Sequence, residues 1–375
     1  ERSIMRLCLL IYGSLDTLTG GFLYDQYLVR HLRHKGHTVD IVSLPWRRYG
    51  RLLLDNFSLR LKSTLGANRY DLILQDALIH PSLFWLNHRQ RRVNGVPIVS
   101  IVHQVLSSQP RKKGLNRLYR VIEKRYLNSV DAFVFNSQTT RGHVHQLINR
   151  QLPSIVANPG ADRLGHLQIP ELPARRARRS GPLELVFVGN ITPIKGLIPL
   201  LESLIRLPPD TWRLTVVGSL KMDRRHVGRI RRMLSTHRIA GRVRLMGSLQ
   251  SQDLINIFVN SQLFVMPFAN EGFGIACLEA LSYGLPVLAS ATGAVKELIQ
   301  DGINGFLIPA GETQTCADVI FGLYNDRDQL SRLSEAARQT ALARPGWNDT
   351  VDAIHYFLTH LPKQRQTHTP HMVSI

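Results

Sequence analysis

The chain reads as an α/β protein made of two doubly wound parallel-sheet domains. Short apolar runs alternate with helical stretches from end to end, and the alternation breaks once, around residues 163–182, before it restarts. Size agrees, because 375 residues are long for one compact core and comfortable for two.

In the first half, strands are expected at 7–12, 38–43, 72–74, 98–103, 132–136 and 154–157. The apolar start leads straight into a glycine turn and a helical pattern, so it reads as a strand and not as a targeting segment. Apolar or aromatic residues at 22, 23, 24, 27, 28 and 32 predict a helix over 22–35, closed by Gly36. The break carries Pro170, Pro173 and Pro182 around the run Arg175-Arg176-Ala177-Arg178-Arg179, which reads as a linker. Strands resume at 185–188, 214–217, 243–246, 263–266, 287–289 and 306–308, and helices follow at 317–324, 330–342 and 349–360. The expected division is an N-terminal domain over 1–165, the linker 166–182, a C-terminal domain over 183–345, a final helix within 346–361 that returns to the first domain, and a disordered tail over 362–375.

Composition narrows the function classes. The chain is 44% hydrophobic and 20% charged, ordinary for a soluble globular protein. No apolar run approaches the roughly 18 to 20 residues that span a bilayer. Three scattered cysteines, Cys8, Cys277 and Cys316, have no metal-ligand spacing and suit a reducing, cytoplasmic setting. The formal net charge is +20, and residues 1–170 hold 24 Lys and Arg against 10 Asp and Glu. That excess suits nucleic acid, anionic lipid headgroups or a phosphorylated acceptor, and equally a merely solvated basic surface; the expected location is cytoplasmic, with the inner face of the membrane as one peripheral site. Nucleic acid is not an expected partner, because the basic runs lack interleaved aromatic platforms.

The segment Glu271-Gly272-Phe273-Gly274-Ile275-Ala276-Cys277-Leu278-Glu279 follows an apolar strand and opens a helix. The first amides of a helix lack internal partners and make a site for an anion. Two carboxylates at such a site would repel phosphate, so they suit hydroxyl groups, and phosphate beside hydroxyls describes a nucleotide sugar. Lys195, just before a predicted helix and beyond a strand, is placed to meet a diphosphate as a point charge. The strand ending at Met246-Gly247 could let backbone approach a flat base. For each of these residues the bland alternative is a surface lysine, a strand-ending glycine or a solvated acid.

The resemblance these residues carry is to family 4 glycosyltransferases, a retaining group with two facing Rossmann-like domains and a deep cleft between them (the GT-B fold). Val188-Gly189-Asn190 through Lys195-Gly196, Met266-Pro267 through Glu279-Ala280, and Gly284-Leu285-Pro286-Val287 follow the family pattern in order and spacing. The first half matches more loosely, through Thr19-Gly20-Gly21, His103, Phe135-Asn136-Ser137 and Asn158-Pro159-Gly160-Ala161-Asp162.

The resemblance implies catalytic roles for His103, Lys195 and Glu271. It also implies a donor site of Gly20, Gly21, Asn190, Lys195, Met246, Glu271, Gly272, Phe273, Gly274, Ile275 and Glu279. Lys195 would neutralise the leaving diphosphate, Glu279 would hold the ribose hydroxyls, and Glu271 would hold the sugar. The family usually has arginine where this chain has Asn190, so leaving-group charge would rest more heavily on Lys195 and the helix end. The implied activity is retaining transfer from a UDP- or GDP-sugar to a glycan or lipid-linked acceptor, with no cofactor. Because a lysine and a helix end can meet the leaving charge and no Asp-x-Asp motif is expected in the chain to hold a metal, the transfer is expected to be metal-independent. A nucleotide-sugar epimerase, or a basic binding module with a decayed site, are the competing readings.

Overall fold

The structure, a computed structural model, describes residues 4–17, 19–66, 69–109, 113–268 and 271–361. The expected tail at 362–375 lies outside these residues. The chain divides into two compact units. Unit 1 holds Glu1–Asn136, Thr140–Ala157 and Val351–Ile375, and unit 2 holds Ser137–Thr139 and Asn158–Thr350.

The unit 1 sheet contains β1 (Arg6–Tyr12), β2 (Thr38–Leu44), β3 (Leu72–Asp76), β4 (Ile98–Val102), β5 (Ala132–Phe135) and β6 (Ser154–Val156). The order is β2-β1-β3-β4-β5-β6 and every pairing is parallel. Strands β3, β4 and β5 are buried at every position, as a parallel sheet covered on both faces requires. The helix Gly20–His34 begins where Thr19 accepts the Phe22 N–H at 3.3 Å, a side-chain cap on one orphan donor. Its buried face is Phe22, Tyr24, Asp25, Leu28, Val29 and Leu32. One member of that stripe is an acid.

The final helix, Trp347–Thr359, adds Val351, Ile354 and Leu358 to the buried residues, a helical spacing of three and four. Its unit 1 portion is also tied by polar groups. The Met5 N–H donates to His37 Nδ1 at 3.0 Å, so His37 Nε2 carries the ring proton and meets His355 Nε2 at 2.9 Å.

Unit 2 repeats the plan with β7 (Leu183–Val188), β8 (Trp212–Val217), β9 (Val243–Gly247), β10 (Leu263–Met266), β11 (Val287–Ser290) and β12 (Gly305–Ile308). The order is β12-β11-β10-β7-β8-β9, again all parallel. The chain starts in the middle, winds outward through β8 and β9, returns to β10 beside β7, and winds the other way. The helix Leu197–Ile205 after β7 buries Leu197, Leu200, Leu201 and Leu204. Truncating one such leucine costs about 2–5 kcal/mol.

The stretch expected as a linker differs in the structure. Within it, Leu172–Ala177 is a helix of unit 2, and Arg176 is 1% exposed. The Arg176 guanidinium donates to the carbonyls of Phe258 (3.0 Å), Val259 (3.5 Å), Tyr283 (3.1 Å) and Gly284 (2.7 Å). Burial pushes its pKa down to about 9, with Arg179 adding to the effect. A run of arginines looks solvated in sequence, yet one of them is the polar centre of a packed region. No helix among the described residues is long and apolar enough to cross a membrane.

Candidate active site

In an open parallel sheet, ligands bind outside the carboxyl ends of the strands where the winding reverses, since the following loops diverge there. In unit 2 that place lies between β7 and β10. The loop after β7 carries Asn190 and Lys195, and the loop after β10 carries Glu271. The structure joins them: Lys195 Nζ donates to Glu271 Oε2, with 25% and 16% of the two side chains exposed. Gly196 makes this approach possible. It has φ +79°, and a Cβ there would lie 1.9 Å from the Pro267 carbonyl oxygen, so no side chain fits between the two loops.

Beyond Glu271, Gly272 and the buried Phe273 lead to Gly274, which precedes the helix Ile275–Ser282 and brings no side-chain cap. The first intrahelical donor bond runs from Leu278 N–H to the Gly274 carbonyl at 3.0 Å. The amides of Ile275, Ala276 and Cys277 therefore sit at the positive helix end without intrahelical acceptors. Glu279 stands one turn beyond Ile275, on the same helix face.

Glu279 is 4% exposed and accepts from Arg163 Nε. Burial pushes its carboxyl up, and the Arg163 hydrogen bond and charge oppose that shift. The segment holding Arg163 is laced to the helix: Ser282 donates to Ala161 O at 2.7 Å, and Tyr283 to Leu164 O at 2.6 Å. Arg163, which no sequence pattern singled out, joins the candidate site through Glu279. Met246 is set apart from this cluster. It lies on edge strand β9, which β8 separates from β7, and is 43% exposed.

In unit 1 the winding reverses between β1 and β3. Gly20 and Gly21 open the helix after β1, Asp76 ends β3, and His103 follows β4. A Cβ on Gly21 would lie 3.1 Å from His103 Cδ2, so glycine gives the ring its room. His103 Nε2 lies 3.1 Å from Asp25 Oδ1, and Asn136 Nδ2 donates to the His103 carbonyl at 2.9 Å. The acids Asp25 and Asp76 are 0% and 2% exposed. Burial works against the His103 charge, but the Asp25 charge and hydrogen bond, then Asp76, outweigh it and raise the pKa.

Two clusters among the described residues bring three ligand-type atoms within 4.8 Å of one another. In the first, His31, Asp352 and His355, the Lys35 ammonium already sits 3.0 Å from the Asp352 oxygen. In the second, Asp25, Asp76 and His103, the Nε2 of the imidazole is spent on the Asp25 carboxylate. The expected absence of an Asp-x-Asp motif is wrong, since Asp326-Arg327-Asp328 has that spacing. Asp326 accepts the Gln329 N–H at 2.7 Å, and Asp328 pairs with Arg178 at 2.9 Å. A basic groove lined by Glu202, Arg206, Arg229, Arg232 and His237 contains no residue of the loops after β7 and β10, and we assign it no part in the reaction.

Residues 168–340 match the family described as Glycosyl transferases group 1, and residues 23–162 match Glycosyltransferase Family 4. The D-inositol 3-phosphate glycosyltransferase of Corynebacterium urealyticum is 25% identical over 310 residues, 78% of this chain and 72% of that protein. The protein of the same name from Corynebacterium aurimucosum is 28% identical over 255 residues, 64% of this chain and 58% of that protein. The structure of Anabaena HepE in complex with UDP and glucose superposes with a TM-score of 0.74 at 20% identity, covering 95% of this chain and 100% of that one.

Proposed function

Since the chain belongs to the family 4 glycosyltransferases, enzymes with a two-domain α/β (GT-B) fold, we propose that it moves a sugar from a UDP- or GDP-sugar to an acceptor hydroxyl, with retention and without a metal. The observation that carries this reading is the pairing of Lys195 with Glu271 at the β7–β10 reversal, in the loop that leads into the helix Ile275–Ser282.

Transfer builds positive charge on the sugar and negative charge on the departing diphosphate. A preorganised donor aimed at the developing charge lowers the barrier by roughly 3 to 4 kcal/mol. Lys195 and the helix end supply such donors. An arriving diphosphate competes with Glu271 for the Lys195 ammonium. Its binding would therefore release Glu271 to accept hydrogen bonds from sugar hydroxyls. Asn190 adds an amide donor without charge. Glu279, with Arg163 holding its charge, is assigned the ribose hydroxyls. Gly272, Phe273 and Gly274 shape the backbone around the phosphates, and Met246 is assigned the base side of the donor. From unit 1, Gly20 and Gly21 are assigned to the diphosphate and His103 to the transferred sugar.

The acceptor is assigned as a glycan or lipid-linked hydroxyl. A phosphorylated polyol is a further candidate, because the relatives' names carry an inositol phosphate and this chain is strongly basic. The basic surface is assigned to a cytoplasmic membrane face, which flotation on anionic liposomes at rising salt would test. Thermal stabilisation by a panel of nucleotide sugars, beginning with UDP-glucose, tests the donor. Nucleoside diphosphate released only when acceptor is added separates transfer from epimerisation. The anomeric configuration of the product by NMR, and turnover in a chelator, test retention and metal independence. Turnover of Lys195→Ala at the wild-type rate would overturn the mechanism.

A further inference from the structure

We infer that Asp25 is a positioning residue for this reaction: its buried carboxylate fixes the His103 ring and keeps it charged, so that the second ring nitrogen meets the donor sugar as a hydrogen-bond donor. The inference deepens the assignment of His103 to the sugar and rests on it.

The geometry starts on one helix face. Gly21 and Asp25 are four residues apart, so they lie one above the other on Gly20–His34. Gly21 leaves the ring its space, and Asp25 Oδ1 accepts the Nε2–H hydrogen bond across 3.1 Å. The Tyr24 ring meets the imidazole edge-on, with centroids 5.2 Å apart. Ring plane and tautomer are therefore set by groups that need not touch a substrate themselves.

The charge follows from the surroundings. Asp25 Oδ2 is buried and has no hydrogen-bond partner among the described residues. Asp76, at the end of β3, is a second buried carboxylate acting on the ring. Ionised carboxylates in such a place need a cation, and the imidazolium is the cation they act upon. With Nε2 held by Asp25, a neutral ring would offer a lone pair at Nδ1, whereas the charged ring offers a proton. A sugar hydroxyl accepts that proton's hydrogen bond, and charge-assisted bonds of this kind are roughly twice as strong as neutral ones.

Asp25→Asn tests the inference, because the amide oxygen can still accept from Nε2 while the charge is gone. In the free wild-type protein, the His103 ring observed by NMR should remain protonated at pH 7. In Asp25→Asn it should be neutral there, while Asp76→Asn should lower its titration by less. The affinity for UDP-glucose by calorimetry should fall about 10- to 100-fold in Asp25→Asn, and the affinity for UDP should stay unchanged. Wild-type UDP-glucose binding should weaken only as pH rises through the raised His103 pKa. A wild-type ring already neutral at pH 7, or one that titrates alike in the two proteins, overturns the inference; the first outcome needs no folded variant. A His103→Ala protein that binds UDP-glucose as tightly as wild type also overturns it. In that case, an intact Asp25-dependent titration locates the failure in the sugar assignment and not in the charge pairing.

Discussion

Replacing Asp76 by asparagine should stabilise unit 1 at neutral pH and do little in acid. Asp76 Oδ1 accepts the Leu78 N–H at 2.9 Å, a bond that the asparagine carbonyl can keep. Burial pushes the Asp76 carboxyl up from 3.8 to about 6; the His103 charge opposes this and Asp25 adds to it. At about 1.4 kcal/mol per pKa unit, a shift of that size is worth about 3 kcal/mol. The sign follows from linkage. A carboxyl whose folded pKa lies above its unfolded value stabilises the fold while protonated, and that contribution disappears as pH rises from about 4 through about 6.

At pH 7.5 the ionised native acid is therefore a burden that asparagine lacks. The His103 attraction is already contained in that shift, so the expected stabilisation is about 1–3 kcal/mol. Thermal unfolding at pH 4.5 and 7.5 measures it, and hydrogen exchange of peptides spanning β1 and β3 assigns it to unit 1. A variant less stable than wild type at pH 7.5, or a gain of equal size at both pH values, would refute the reasoning.

Lys195→Ala should lower turnover about 10²–10³-fold with little change in melting temperature, since its partner Glu271 stays partly solvated. Arg163→Ala should cost about 3–5 kcal/mol by leaving Glu279 buried and unpaired. Because the Glu279 pKa is already raised, the loss measured by thermal melts should be greater at pH 8 than at pH 5. Glu279→Gln should cost less at pH 8, as it carries no charge to strand. Gly196→Ala should lower both stability and UDP affinity, because φ +79° and the 1.9 Å approach to Pro267 leave no room for a methyl group. Unchanged UDP binding by calorimetry would remove the claim that this contact sets the Lys195 loop.

The strands were legible because a buried parallel strand announces itself as a short apolar run. Each of the twelve expected runs overlaps a strand of the structure, with ends that differ by no more than two residues. The loop after β7, the loop after β10 and the helix start were legible for a related reason: local chemistry, glycine beside charge, marks them. Pairings across the chain were not. Arg163 reaches Glu279 across 116 residues from a segment without periodicity, and no local pattern points to it. Asp25 did leave a trace, as an acid on the apolar stripe between Tyr24 and Leu28, but its partner His103 lies 78 residues away. Arg176 misled because adjacent arginines suggest solvent, and only the carbonyls gathered around one of them reverse that reading.

That buried guanidinium bears on how the C-terminal half can be isolated. A fragment cut at residue 183, where the first strand of unit 2 begins, would discard Arg176 and remove a donor from four main-chain oxygens, of which that of Phe258 keeps the Ser261 N–H at 3.3 Å. Such a group costs about 1–3 kcal/mol where it stays shielded from water, a sizeable share of a domain's ordinary stability. An excised unit 2 fragment should start upstream of Leu172, and its solubility should depend on that boundary more than on any surface residue.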